Sequence, residues 1–203
     1  MAMGRLMSVA SNTRVIAQAE TRRLLKQSGR EVLLERGYAA ASVAAIAAHA
    51  GGFTTGALYS NFGSKADLTL EVLGDLQNEA NAALGSILEN ADSNTTRVRL
   101  VMAWAEDVLQ SGWPRLELEF ALAHRDSPNT VSTEAGRSRT AVDNIANMVD
   151  QVLPQHMAVM PARRIAELIL DVCFGIAVRR IVDPSVTVDH LFDLINELVS
   201  YGN

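Results

Sequence analysis

The stretch Gly37–Leu68, GYAAASVAAIAAHAGGFTTGALYSNFGSKADL, decides how this chain is read. It holds two short apolar-periodic segments, separated by Gly51-Gly52 and bounded by Gly37 and Gly63. Ser42 has the chemistry of an N-cap, whose side-chain oxygen accepts from a first-turn N–H. The spacing therefore predicts a helix over 43–49 with Val43, Ile46 and Ala47 facing inward. A second short helix opens at Thr54 or Thr55 and ends at Phe62, where Gly63 stops it. Ser64 then caps a long helix from Lys65 to about Asn90, with Asp67 in the first turn, where an acid suits the helix dipole. Two short helices joined by a glycine turn are the helix-turn-helix pattern. Its first helix braces across a DNA backbone and its second enters the major groove. Ala47, Ala50 and Gly51 supply the small side chains needed where the two helices touch.

Outward from this stretch the whole chain reads as helix. Ala, Leu, Glu, Arg and Met abound, apolar residues recur at three- and four-residue spacings, and no alternating β-branched run suggests a strand. A helix from Asn12 or Thr21 to Arg36 precedes the motif, its inward face made of Leu25, Ser28, Gly29, Val32 and Leu33. Beyond Ser93, helices are expected at 95–110 and, past Gly112 and Pro114, at 115–124. Others follow from the turn-forming Asp126–Asn129 to near Leu153, at 161–182 and at 188–201. The fold class expected is all-α. Residues 1–64 form a three-helix head with the helix-turn-helix, and residues 65–203 form a helical body.

Charge divides along the same line. The net charge is −5, yet residues 1–65 carry Arg5, Arg14, Arg22, Arg23, Lys26, Arg30, Arg36 and Lys65 against Glu20, Glu31 and Glu35. A basic head on an acidic body fits local contact with a polyanion. No run of apolar residues is long enough to span a membrane, and the first twenty residues lack the pattern of a signal peptide. The lone cysteine, Cys173, cannot form an internal disulfide, which fits a reducing, cytoplasmic location. His49, His124, His156 and His190 are scattered without metal-ligand spacing, so neither metal nor cofactor is expected. Cys173 has no adjoining His or acid pattern, and no P-loop, Rossmann glycine pattern or serine elbow is present. The chain does not read as an enzyme.

The residues of the motif closely resemble the DNA-binding head of TetR-type transcriptional regulators. The matching residues are Gly37-Tyr38, Ser42-Val43, Ile46-Ala47, Ala50-Gly51, Gly56-Ala57-Leu58-Tyr59, Phe62 and Ser64-Lys65, and the resemblance covers roughly 21–73. It implies a homodimer that binds a double-stranded DNA operator. A small-molecule effector bound in the body then moves the two heads out of register with two major grooves about 34–36 Å apart. The chain departs from the family pattern in two places. Both Gly52 and Phe53 stand between Gly51 and Thr54, where one residue is usual, and Ala44 and Ala45 replace residues that are often polar. The other reading left open by that longer turn is a helical small-molecule-binding or scaffold protein whose head has lost DNA binding.

The DNA-contacting set expected from residue chemistry is Ser42, Thr54, Thr55, Gly56, Tyr59, Ser60, Asn61 and Lys65. Tyr59 and Lys65 would hold phosphates, the latter from a helix N-terminus. Thr54, Thr55, Ser60 and Asn61 would read base edges, while Gly56 and Ala57 allow close approach. Phe62 is assigned to the core. Met102, Trp104, Trp113, Phe120, His124 and Met148 are candidate effector contacts, being bulky or polar points on the middle helices. Ile165, Ile169, Val172 and Ile176, with Leu191, Leu194, Ile195 and Leu198, form apolar stripes expected at a dimer interface, and Leu168, Gly175 and Val178 widen the first.

Overall fold

A computed structural model describes residues 2–152, 160–190 and 193. Among these residues there are eight helices and no strand. They are α1 (Ala2–Ala40), α2 (Val43–His49), α3 (Thr55–Phe62), α4 (Lys65–Asn90), α5 (Asn94–Gln110), α6 (Trp113–Ala123), α7 (Pro128–Val152) and α8 (Ala162–Val182). The chain divides into two compact units, Met1–Leu73 and Gly74–Asn203.

In the first unit, α1 packs on α2 and α3, and α2 on α3. α1 begins well before the expected start, because nothing between Ala2 and Thr21 breaks a helix: there is no proline, and Gly4 is the only glycine. At Gly37 the backbone leaves the helical region, φ 80° and ψ 171°, so the first helix stops there as expected and one further turn follows to Ala40. Leu25, Ser28, Gly29, Val32 and Leu33 are all buried, as their spacing requires. Ile46 and Ala47 of α2, Leu58 and Phe62 of α3, and Leu68, Val72 and Leu73 of α4 are buried in the same unit. A side chain at Gly29 would place its Cβ 2.8 Å from Leu68 Cδ2, so this glycine sets how closely α1 and α4 approach.

In the second unit, α8 packs on α7, α6 and α5, and α5 on α6. Leu116 and Phe120 of α6 are fully buried. Pro114 lies inside the first turn of α6 rather than ahead of it, and Gly112, in the left-handed region at φ 84°, forms the N-cap. Pro in the first turn loses no hydrogen bond, since the N–H there has no helical partner anyway. Ile176, Val186 and Val188 form a buried cluster against which Met102, Leu109 and Val172 pack. The expected helix at 188–201 falls mostly outside the described residues.

Candidate nucleic-acid interface

The helix-turn-helix is built by caps and glycines. Ser42 Oγ accepts from Ala45 N at 3.1 Å, and Thr54 Oγ1 accepts from Ala57 N at 3.2 Å, so each short helix begins on the hydroxyl expected to start it. Between them Gly51 and Gly52 adopt φ of 109° and 83°, and both of their N–H groups donate to Ala48 O. The additional glycine is thus accommodated by a turn with two successive positive φ values, a conformation that glycine adopts without steric cost. Gly63, φ 79°, ends α3 by donating to Tyr59 O. Ser64 Oγ accepts from Asp67 N at 3.0 Å and donates to Asp67 Oδ2 at 2.6 Å, opening α4.

α3 turns Leu58 and Phe62 inward and leaves Thr55, Gly56, Tyr59 and Ser60 exposed. Tyr59 is 53% exposed. A Cβ at Gly56 would meet only Thr54 Oγ1, at 3.6 Å, so nothing within the protein requires glycine there. Asn61 differs from its neighbours. Its Nδ2 donates back to Ala57 O at 2.7 Å and its Oδ1 is buried, so its amide turns toward the helix. Ser60 Oγ likewise donates to Ala57 O, at 3.0 Å.

Lys65 occupies an unexpected place. Its Nζ donates to Tyr38 O at 2.8 Å and to Ala41 O at 3.0 Å, and lies 4.0 Å from the centroid of the Tyr38 ring. Burial pulls the ammonium below the usual lysine range and pushes the Tyr38 phenol above its own. Two further contacts escape sequence reading because their partners are distant along the chain. Arg22 pairs with Glu71 and lies 4.3 Å from the Phe62 ring centroid, tying α1 to α4 beside the end of α3. Ser28 Oγ donates to Ile46 O at 2.7 Å and sits 3.1 Å from His49 Nδ1. With the hydroxyl proton committed to Ile46, Nδ1 carries the hydrogen in this contact, and His49 is drawn toward α1.

Residues 25–72 match the bacterial regulatory proteins of the tetR family. Over those residues the head is a TetR-type helix-turn-helix. Solved structures agree in fold. A TetR-family transcriptional regulator from Pectobacterium atrosepticum is 27% identical, with a TM-score of 0.59 over 80% of this chain and 84% of that one. A TetR-family regulator from a Rhodococcus species is 17% identical, with a TM-score of 0.68 over 89% and 98% of the two chains. The fatty acid degradation regulator FadR from Bacillus halodurans is 14% identical, with a TM-score of 0.68 over 87% and 96%. No curated protein matches the chain. Among the described residues, no helix of the regulator is long and apolar enough to cross a membrane.

The body of the regulator distributes the other candidate residues unevenly. Phe120 is fully buried and stacks on His124, ring centroids 4.5 Å apart, while His124 Nδ1 lies 3.0 Å from Phe120 O. Trp104, Trp113 and Met148 are half-buried. Met102 packs against the Ile176–Val186–Val188 cluster. Of the α8 residues expected at an interface, Ile176 is interior, and Val172 is half-buried and packs against its cluster. The exposed apolar side chains of α8 are Leu168, Ile169, Phe174, Val178, Ile181 and Val182, and Ile165 is half-buried. Leu191, Leu194, Ile195 and Leu198 lie outside the described residues.

Sequence reading did not find the polar network of the body. Arg137 reaches Glu117 at 2.7 Å and Glu134 at 3.1 Å, and exchanges hydrogen bonds with Gln77, whose Nε2 donates to Arg137 O at 3.1 Å. Burial pushes both carboxyls above the usual range, with Arg137 pulling the other way. Only the Glu134–Arg137 spacing of one helical turn was legible beforehand.

Proposed function

We propose that this regulator is a homodimeric repressor that a small molecule releases from its operator. The observation that carries the reading is the outward face of α3: Thr55, Gly56, Tyr59 and Ser60 are exposed together, and a Cβ at Gly56 would meet nothing closer than Thr54 Oγ1, at 3.6 Å. A helix with a bare, glycine-notched face suits a major groove. Thr55 and Ser60 would reach base edges, and Tyr59 and Ser42 phosphates. Thr54 acts through its cap, which sets where α3 begins. Asn61 contributes to a base contact only by giving up its bond to Ala57 O.

Dimerisation is supported by α8. Leu168, Gly175, Val178 and Val182 fall at spacings of seven, three and four residues and are all exposed, with Phe174 and Ile181 beside them. Gly175 has nothing within 4 Å of an added Cβ, leaving room for a partner backbone. The effector would contact Trp104, Trp113, Phe120, His124 and Met148, an aromatic-rich set suited to an apolar or aromatic molecule.

Binding-site selection with the purified protein tests the reading. A palindromic sequence with half-sites one helical turn apart should be enriched. Enrichment of no sequence, with only weak salt-sensitive binding, would favour a helical ligand-binding protein whose head no longer reads DNA.

A further inference from the structure

We propose that Arg22 and Glu71 form a joint that fixes the tilt of α3, so that both act on operator binding by positioning the helix that enters the groove. This rests on operator binding by the head. Arg22 stands one helical turn ahead of Leu25, on the side of α1 that faces the core of the head. Its guanidinium does two things at once. The fork meets the carboxylate of Glu71 on α4, Nη1 donating to Oε2 at 3.0 Å and Nη2 donating to Oε1. The same group lies over the Phe62 ring, 4.3 Å from its centroid, where the ring face attracts a cation. Phe62 is the last residue of α3 and is buried, and only Gly63 and Ser64 separate it from α4. α3 is eight residues long, so the seat of Phe62 sets the tilt of the whole helix. Arg22 closes that seat from α1 and is itself held by α4, so three helices meet at one side chain. A planar guanidinium can bond a carboxylate through two N–H groups while lying against a ring, which the compact ammonium of lysine does not reproduce. The two side chains are 39% and 36% exposed, so the pair adds little to stability by itself. What it fixes is orientation.

The sign of one substitution separates the joint from simple electrostatics. Glu71→Gln removes a negative charge from the head, which by charge alone would tighten binding to every duplex. The joint requires the reverse for an operator. Affinity of the full-length protein is measured for a duplex chosen by site selection and for an unrelated duplex, at several salt concentrations. Glu71→Gln and Arg22→Gln should each lower operator affinity by about tenfold and narrow the preference over the unrelated duplex. Arg22→Lys keeps the charge and should lose most of the same affinity. The double variant, Arg22→Gln with Glu71→Gln, should bind no more weakly than either single one, because the two groups act as a unit. Melting temperatures should fall by less than about 3 °C. In the DNA-free protein, amide hydrogen exchange across Thr55–Phe62 should speed up in each variant, while exchange in α8 stays as in the wild type. Operator affinity kept or raised in Glu71→Gln would overturn the joint, as would additive losses in the double variant. So would a salt slope reduced by about one in Arg22→Gln, which is the mark of a lost phosphate contact. If the wild type prefers no duplex, the operator reading fails instead, and hydrogen exchange then decides the joint: unchanged exchange in α3 in both single variants overturns it.

Discussion

The head and the body are stabilised differently. In the head, Leu25, Leu33, Ile46, Leu58 and Leu68 are wholly inaccessible, and the buried hydroxyls of Ser28 and Thr69 are bonded to Ile46 O and Lys65 O. Among the described side chains of the head, the large exposed apolar ones are Val15 and Ile16, ahead of the core, and Tyr59 on α3. The body buries charge: Arg137 with Glu117 and Glu134, and Arg180, which donates to Glu106 and to Val186 O. It also leaves a row of apolar side chains outside on α8. The difference teaches that the head completes its packing within one chain, whereas the body carries surface suited to a second copy and polar links whose loss would be costly.

The largest effect should follow from attacking that outer row. Val178→Glu with Val182→Glu places charges on residues that are 44% and 86% exposed, so the subunit fold should persist. Dimer affinity should fall by at least about a hundredfold, since burying unpaired charge costs several kcal/mol. Sedimentation of wild type and variant as dimers of equal affinity would break the comparison.

Next comes the buried network. Arg137→Met should cost about 3 kcal/mol near neutral pH by leaving two carboxylates without their cation. Denaturant unfolding at pH 7 and pH 5 should show the smaller loss at pH 5, where the carboxyls can take up protons. In the intact protein Glu117 and Glu134 have folded values raised above 4.5 by burial. The stability linked to them is therefore complete below 4.5 and is lost as pH rises through the raised values. Glu106, lowered by its bond to Arg180, acts in the opposite sense: its contribution is present above 4.5 and is lost as pH falls through its folded value. Glu117→Gln should flatten the first dependence, and a variant with the wild-type slope would show that Glu117 does not carry it.

Within the head, Gly29→Ala should cost about 1–3 kcal/mol, because its Cβ would meet Leu68 at 2.8 Å. A melting temperature equal to wild type would mean that the α1–α4 approach relaxes freely. The smallest effects should come from two glycines of opposite kind. Gly52→Ala should cost about 1–2 kcal/mol, because φ is 83° there. Gly56→Ala should stabilise α3 by up to about 1 kcal/mol while weakening operator binding. Tighter binding by Gly56→Ala would remove the close-approach role assigned to it.

The capped ends of α2, α3 and α4 were legible because caps, glycines and apolar spacing act over three or four residues, and the chain states them in order. Ser42, Thr54, Gly63 and Ser64 each do locally what their type permits. The inward face of α1 was legible for the same reason. The further turn from Tyr38 to Ala40 was not, since nothing in those three residues marks it. Sequence by itself therefore determined the helical class, the position of the helix-turn-helix and most of the exposed face of α3. Only the tertiary structure decided where Lys65 sends its charge, which side of α8 stays outside, and that Arg137 gathers Glu117, Glu134 and Gln77. Each of these depends on groups from separate helices meeting in space, and a side chain's partner is set by how helices pack, not by its neighbours along the chain.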